Sequence, residues 1–179
     1  MLIFLDIAAS APEDGVPAEI AWAAADLSAA ASWLIRPAPD WDESLYAPDA
    51  GSRHGLTRPM LEADGREPRR VAMLLAEDLA GATVASADPA GHEALLDRLY
   101  EAAPFPRPFA LRDADGLRRA RWGDPAEADR LRARAAARLE DGPALDGAVD
   151  LALAWSLASG GDAGTSAEAA RALIAREGR

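Results

Sequence analysis

The chain contains no cysteine, and it also lacks lysine, asparagine and glutamine. Without cysteine it forms no disulfide and no thiolate metal site, which fits a reducing compartment, so we expect a cytoplasmic protein. No apolar run approaches the length of a bilayer span, and the apolar N-terminal stretch lacks the basic start and the length of a signal peptide. With 179 residues and 50% hydrophobic content, the chain is long enough for one α/β domain with its own core.

Acidic residues outnumber basic ones, 30 against 19, which gives a net charge of -11. This charge opposes unspecific binding of a polyanion, because affinity for nucleic acid comes largely from neutralised phosphates and released counterions. Arginines are concentrated between residues 112 and 138, but they alternate there with acids. That alternation favours a solvated helix with i,i+4 ion pairs over a phosphate track.

Hydrophobic patterning predicts three consecutive strands, at residues 2–6, 19–24 and 31–36. Their short connections imply an antiparallel meander. Pro37-Ala38-Pro39 ends the third strand, and the polar stretch from Asp40 to His54 predicts a loop.

The rest of the chain alternates helices with short strands. Helices are predicted at residues 59–63, 68–79, 89–102, 126–139 and 144–157, and strands at 83–86 and 108–111. A flexible linker is predicted at 160–164, and Thr165-x-x-Glu168 predicts a capping box for a last short helix ending near Arg176. The order predicts one α/β domain over residues 1–158, with a mixed sheet flanked by helices, followed by a linker and short helix at 159–179.

The first strand carries Asp6, and the residue two positions further on, Ala8, has no polar group. A hydrolase that uses two metal ions needs several convergent carboxylates, because hard oxygen ligands must hold each divalent cation. Asp6 alone cannot hold two ions.

Several segments resemble the DEDD-type (DnaQ-like) 3'-5' exonucleases, in particular the epsilon-subunit proofreading domain of DNA polymerase III. The resemblance covers roughly residues 1–158 and implies a ribonuclease H-like fold. His54-Gly55-Leu56-Thr57 is similar to a His-Gly-Ile-Thr segment of that family. The strand with Asp6, Val84-Ala85-Ser86 with the following helix, and Ala144-Leu145-Asp146 resemble its three acidic motifs.

In that family, Asp and Glu of the first motif, Asp of the second, and Asp of the third hold two magnesium or manganese ions, while a third-motif His activates water. This chain keeps Asp6, but Ala8 replaces the Glu and His92 stands at the second-motif Asp. Gly142 and Gly147 stand at the third-motif His and Asp. The resemblance therefore implies a catalytically impaired exonuclease-like protein, with no cofactor expected.

Neighbouring acids offer an alternative, an active exonuclease with relocated carboxylates that binds Mg or Mn. Asp88 or Glu93 would supply the second motif. Asp146 or Asp150 would supply the third, and Asp150 is the better placed because it lies one helical turn beyond Gly147 on the same face. The candidate catalytic residues are Asp6, His92, Asp146 and Asp150, and the candidate metal ligands are Asp6, Asp88, Glu93 and Asp150. Acids near any motif are also expected by chance, so an ordinary surface carboxylate is favoured for each replacement.

Two further residues are candidate substrate contacts. His54, in a loop, would position a nucleotide or cap the following turn, and Trp41 would stack on a base. The expected partners are a weakly bound single-stranded nucleic acid or nucleotide, a second copy of the chain, or another protein, and no membrane. A non-enzymatic interaction module that uses the C-terminal helix is the third hypothesis.

Overall fold

The computed structural model describes residues 1–11, 15–46, 55–103, 105–123 and 143–177. Within them, one sheet has five strands: β1 (Leu2–Ala9), β2 (Pro17–Ala24), β3 (Ala30–Leu34), β4 (Thr83–Ser86) and β5 (Leu111–Asp113). Their order across the sheet is β3-β2-β1-β4-β5. The first three strands are antiparallel neighbours, while β4 runs parallel to β1 and β5 parallel to β4. The predicted meander and mixed sheet are confirmed.

The described helices are α1 (Arg58–Asp64), α2 (Pro68–Asp78), α3 (Pro89–Glu101), α4 (Ala114–Trp122), α5 (Ala144–Ala158) and α6 (Ala163–Glu177). Each of α1, α2 and α3 has proline in its first two positions. Proline is favoured there because its fixed φ suits a helix and its missing N–H would have no intrahelical partner. None of the described helices has the length and apolarity of a membrane span.

Helices cover both faces of the sheet, and β1 contributes alternate side chains to each. Ile3, Leu5 and Ile7 belong to a core cluster shared with α2 and α3. Phe4 belongs to a second cluster, shared with α5 and α6. Since side chains alternate along a strand, Asp6 and Ala8 share the face of Phe4, under α5.

The fifth strand lies at Leu111–Asp113, not at the predicted residues 108–111. Pairing with β4 begins at Leu111, opposite Val84. Proline cannot donate to a strand ladder, so Pro106 and Pro108 are poorly suited to extend the strand backwards. Helix α4 follows immediately and was not predicted; it is capped by the side chain of Asp113, which accepts the N–H of Asp115 at 3.0 Å. The helix predicted at residues 126–139 lies outside the described residues.

Helix α6 begins at Ala163, two residues before the predicted cap. The Asp162 side chain accepts the N–H of Thr165 at 2.9 Å, so Asp162 caps the helix where Thr165 was expected to. Ala170 and Leu173 of α6 are buried in the cluster shared with α5. The helix thus packs on the sheet domain, while the assignment of residues 159–179 as a separate unit stays a prediction.

Candidate active site

Asp6 lies at the end of the sheet where α3 begins. In the parallel pair of β1 and β4, Phe4 is opposite Ala85, so Asp6 is level with the residues that follow β4. Helix α3 starts there, and His92 in its first turns reaches back to β1. The Nε2 atom of His92 lies 3.4 Å from Oδ1 of Asp6, whose side chain is 30% exposed.

The other ring nitrogen of His92 is held by Ser86, the last residue of β4. Ser86 Oγ and His92 Nδ1 are 2.6 Å apart, and the same hydroxyl oxygen accepts the N–H of Asp88 at 3.1 Å. From these bonds we assign the Ser86 hydroxyl as donor to Nδ1, which places the ring proton on Nε2, facing Asp6. Ser86 is fully buried, so this serine, histidine and aspartate do not form an exposed nucleophile of the hydrolase type.

Burial controls the ionisation of both partners. It raises the pKa of Asp6 above its ordinary 3.8, against the opposing effect of His92. It lowers the pKa of His92 below its ordinary 6.5, against the opposing effects of Asp6 and Asp88. Both shifts disfavour the charged forms, as expected for groups removed from water.

Helix α5 contacts Asp6 at Gly147. A Cβ added to Gly147 would lie 2.8 Å from Cγ of Asp6 and closer still to Oδ2, inside the 3.0 Å that real Cβ atoms essentially never cross. Gly147 is the residue at which the family resemblance places the third-motif aspartate. The helix therefore brings that position directly to Asp6, and a side chain there would require the Asp6 carboxylate or the helix to move.

Glu19 is a buried carboxylate that the sequence analysis did not select. It lies on β2 opposite Ala8 and is 5% exposed. Its Oε2 accepts the N–H of Ala144, the first residue of α5, at 2.8 Å. Burial raises the pKa of Glu19 above 4.5, against the lowering effect of its hydrogen bonds with the Ala144 N–H and the Ser32 side chain. The charges of Asp146 and Asp6 add to the increase, so these carboxylates are within electrostatic reach.

One sequence signal points to the position of Glu19, although not to its partner. Glu19 is the single charged residue in the otherwise apolar segment that forms β2, and every residue of that strand is buried in the structure. A carboxylate in a strand buried throughout needs a hydrogen-bond partner, which marks it as structural or functional.

The two acids proposed for the second motif have other partners. Asp88 caps α3 by accepting the N–H of Gly91 at 3.0 Å, although its charge still raises the pKa of Asp6. Glu93 forms an ion pair with Arg107 and accepts the N–H of Leu111 at 3.2 Å. Glu93 thus joins α3 to the start of β5.

The remaining candidates are dispersed. Asp146 lies in the first turn of α5, where burial raises its pKa. Asp150 is half-buried, one turn beyond Gly147. Trp41 is half-buried against the cluster shared with α2 and α3. His54 and Gly142 lie outside the described residues.

Metal binding was tested against the donors present. Across the described part of the chain, no group of three or more His, Cys, Asp or Glu side chains is arranged to hold a metal ion. Glu19 is directed to the Ala144 N–H, Glu93 pairs with Arg107, and Gly147 has no side chain. The described donors therefore do not fit a two-metal centre, which needs convergent and bridging carboxylates.

The sheet order and its helices define a ribonuclease H-like exonuclease fold, as solved structures show. Exonuclease I of E. coli in complex with a 5cy-dA13 oligonucleotide has a TM-score of 0.60 at 14% identity, covering 88% of this chain and 40% of that one. The zinc-bound E. coli exonuclease I–ssDNA complex has a TM-score of 0.51 at 15% identity, covering 66% and 29%. Exonuclease I from Methylocaldum szegediense has a TM-score of 0.50 at 20% identity, covering 69% and 30%.

At these identities the similarity concerns the fold. The chain spans between 29% and 40% of the length of these exonucleases. No protein-family model and no curated protein matches it. The expectation of a ribonuclease H-like fold is confirmed at that level.

Proposed function

We propose that this chain is an exonuclease-fold protein, related in motif order to the epsilon-type proofreading domain, that has lost metal-dependent hydrolysis. The contact between Gly147 and Asp6 carries the proposal. A third-motif aspartate has no space at position 147 while α5 and the Asp6 carboxylate keep these positions. The Asp6 carboxylate occupies the volume in which the Cβ of a ligand side chain would stand.

The surroundings of Ala8 support the same conclusion. Ala8 offers no ligand, and the carboxylate directly across the ladder, Glu19, bonds the first turn of α5. On the other side of Asp6, His92 takes the second-motif position and is bonded to Ser86. Glu19 and His92, the two side chains nearest to the lost ligand positions, are thus bonded to other groups of the protein.

A nuclease assay tests this proposal. Purified protein is incubated with single-stranded DNA or RNA in magnesium or manganese, beside an Asp6→Ala variant purified in the same way. We expect the two proteins to give the same background rate, because neither has a metal-activated water. Metal-dependent degradation that Asp6→Ala abolishes would refute the loss of hydrolysis.

The second candidate function is an active exonuclease with relocated carboxylates. It is favoured by the electrostatic coupling of Glu19 with Asp6 and Asp146, since acids held close together are a feature of metal sites. Under this hypothesis magnesium or manganese is bound at Asp6 together with Asp88 or Glu93 and with Asp146 or Asp150. Activity lost in both Asp6→Ala and Asp146→Asn, and kept in the exposed-site variant Glu101→Ala, would establish it.

We also propose that the surface beside Asp6 binds nucleic acid weakly and that a second copy of the chain or another protein is the main partner. A net charge of -11 repels phosphates. Single-stranded DNA is bound by the E. coli exonuclease I relative, so an oligonucleotide is the appropriate probe. Sedimentation measures the oligomeric state, and fluorescence titration measures the affinity for an oligonucleotide. A protein that is monomeric at micromolar concentration and binds the oligonucleotide with submicromolar affinity at physiological salt would overturn the preference for a protein partner.

A further inference from the structure

We infer that Glu19 is a positioning residue that holds helix α5 against Asp6. The inference rests on the proposed function and explains how Gly147 is kept against the Asp6 carboxylate. Glu19 and Ala8 are directly paired in the ladder, and paired residues place their side chains on the same face about 5 Å apart at Cβ. Glu19 therefore extends from β2 toward the face on which Asp6 and α5 meet.

The start of α5 has no cap of its own. Its N-cap residue is Pro143, which makes no side-chain cap hydrogen bond. The first N–H groups of a helix lack intrahelical acceptors, and a buried one is costly if unpaired. Ala144 is 1% exposed, and Glu19 accepts its N–H at 2.8 Å from 125 residues away in sequence.

This bond determines which residue of α5 meets Asp6. Gly147 follows Ala144 by three residues, so the two lie on one face of the helix, about 4.5 Å apart along its axis. The sheet fixes Glu19 relative to Asp6, because Ala8 and Asp6 lie two residues apart on the same face of β1 and pair with Glu19 and Ala21. A helix anchored at Ala144 therefore presents Gly147 to the Asp6 carboxylate.

A double-mutant cycle in the full chain tests the anchor. Gly147→Ala is measured in the wild-type, Glu19→Ala and Glu19→Gln backgrounds by urea denaturation. If Glu19 holds α5 against the sheet, Glu19→Ala allows the helix to move away from Asp6. This movement relieves the clash between the Cβ added at position 147 and the Asp6 carboxylate. The fold-change that Gly147→Ala causes in the unfolding equilibrium constant should then be smaller in Glu19→Ala by about tenfold.

Glu19→Gln distinguishes positioning from a general loss of stability. Its amide oxygen can still accept the Ala144 N–H, so the full effect of Gly147→Ala should return in that background. The inference would be overturned if Gly147→Ala destabilised the Glu19→Ala background as much as the wild type. It would also be overturned if the destabilisation by Gly147→Ala were reduced equally in the Glu19→Ala and Glu19→Gln backgrounds.

Amide hydrogen exchange provides a second measurement if the Glu19→Ala, Gly147→Ala double variant does not fold. In Glu19→Ala alone, exchange at Gly147 and Ala148 should accelerate at least about tenfold more than at Leu96 and Leu99 of α3. Uniform acceleration, or none, would contradict the anchor. Neither outcome affects the nuclease assay, so failure of this inference and failure of the proposed function are distinguishable.

Discussion

Gly147 of α5 lies against the carboxylate of Asp6 so closely that no Cβ fits between them. The absence of a side chain brings the helix onto the strand at the point where a two-metal exonuclease needs ligands. His92 also lies against Asp6, with its Nε2 atom 3.4 Å from Oδ1. Asp6 thus has neighbours from both α5 and α3, while its side chain remains 30% exposed.

Gly147→Ala is expected to destabilise the protein by roughly 1–3 kcal/mol, because the added methyl must displace the helix or the Asp6 carboxylate. The expected sign is unusual, since Gly→Ala inside a helix ordinarily stabilises by about 1 kcal/mol. Urea denaturation measures the change. Gly164→Ala in α6 is the matched control, because a Cβ there would meet Asp162 Oδ1 at 3.4 Å, an ordinary contact. Equal effects of the two substitutions would contradict the packing described at Gly147.

His92→Ala is expected to lower the free energy of unfolding by roughly 1–3 kcal/mol. It leaves the buried Ser86 hydroxyl and the Asp6 carboxylate without the ring that joins them. Glu101→Ala, at the exposed end of the same helix, should change stability by less than about 0.5 kcal/mol. A His92 variant as stable as the Glu101 variant would show that the ring makes no net contribution.

The buried Glu19 predicts a pH dependence with a definite sign. Its pKa is raised above 4.5 in the folded chain, so the native state binds this proton more tightly than the unfolded state. Protonated Glu19 therefore contributes to the free energy of unfolding at pH values below 4.5. This contribution is lost as the pH rises through the pKa of Glu19 in the folded chain. The Glu19→Gln variant has no carboxylate at this position and so has no such loss. The free energy of unfolding of the variant, relative to that of the wild type, should therefore increase from about pH 4 upward and then level off.

Urea denaturation of both proteins between about pH 4 and pH 8 checks this difference. His92, whose pKa is lowered, contributes stability above 6.5 that is lost as the pH falls. That contribution is common to both proteins and largely cancels. The raised pKa of Glu19 would be contradicted if the difference in unfolding free energy between Glu19→Gln and wild type did not change with pH, or decreased as the pH rises.

The elements that sequence predicted well are those with strong local signals. The alternation along β1 and the prolines at the starts of α2 and α3 depend on neighbouring residues only, and these elements lie where expected. The apolar pattern at residues 108–111 predicted the fifth strand too early in the chain. Pro106 and Pro108 cannot donate a backbone hydrogen bond to a neighbouring strand, and the prediction gave this less weight than the apolar character. At α6 the motif Thr165-x-x-Glu168 predicts the cap, whereas the stronger capping residue, Asp162, lies three residues before it.

The site was harder to predict because its contacts join distant parts of the chain. Asp6 and His92 were both selected, and the fold brings them together. Glu19 was missed because its partner, Ala144, is 125 residues away and local patterning carries no information about such a bond. Glu93 was selected by its position near a motif, but its pairing with Arg107 depends on the path of the loop before β5.

The most direct test of the central claim is a manganese soak of crystals of the full chain, with anomalous density recorded around Asp6. Loss of ligands at Ala8 and Gly147 removes the charge that would offset dehydration of the ions. We predict no pair of anomalous peaks beside Asp6. Two peaks about 3.5–4 Å apart, bound by Asp6 and any neighbouring carboxylates, would contradict the account.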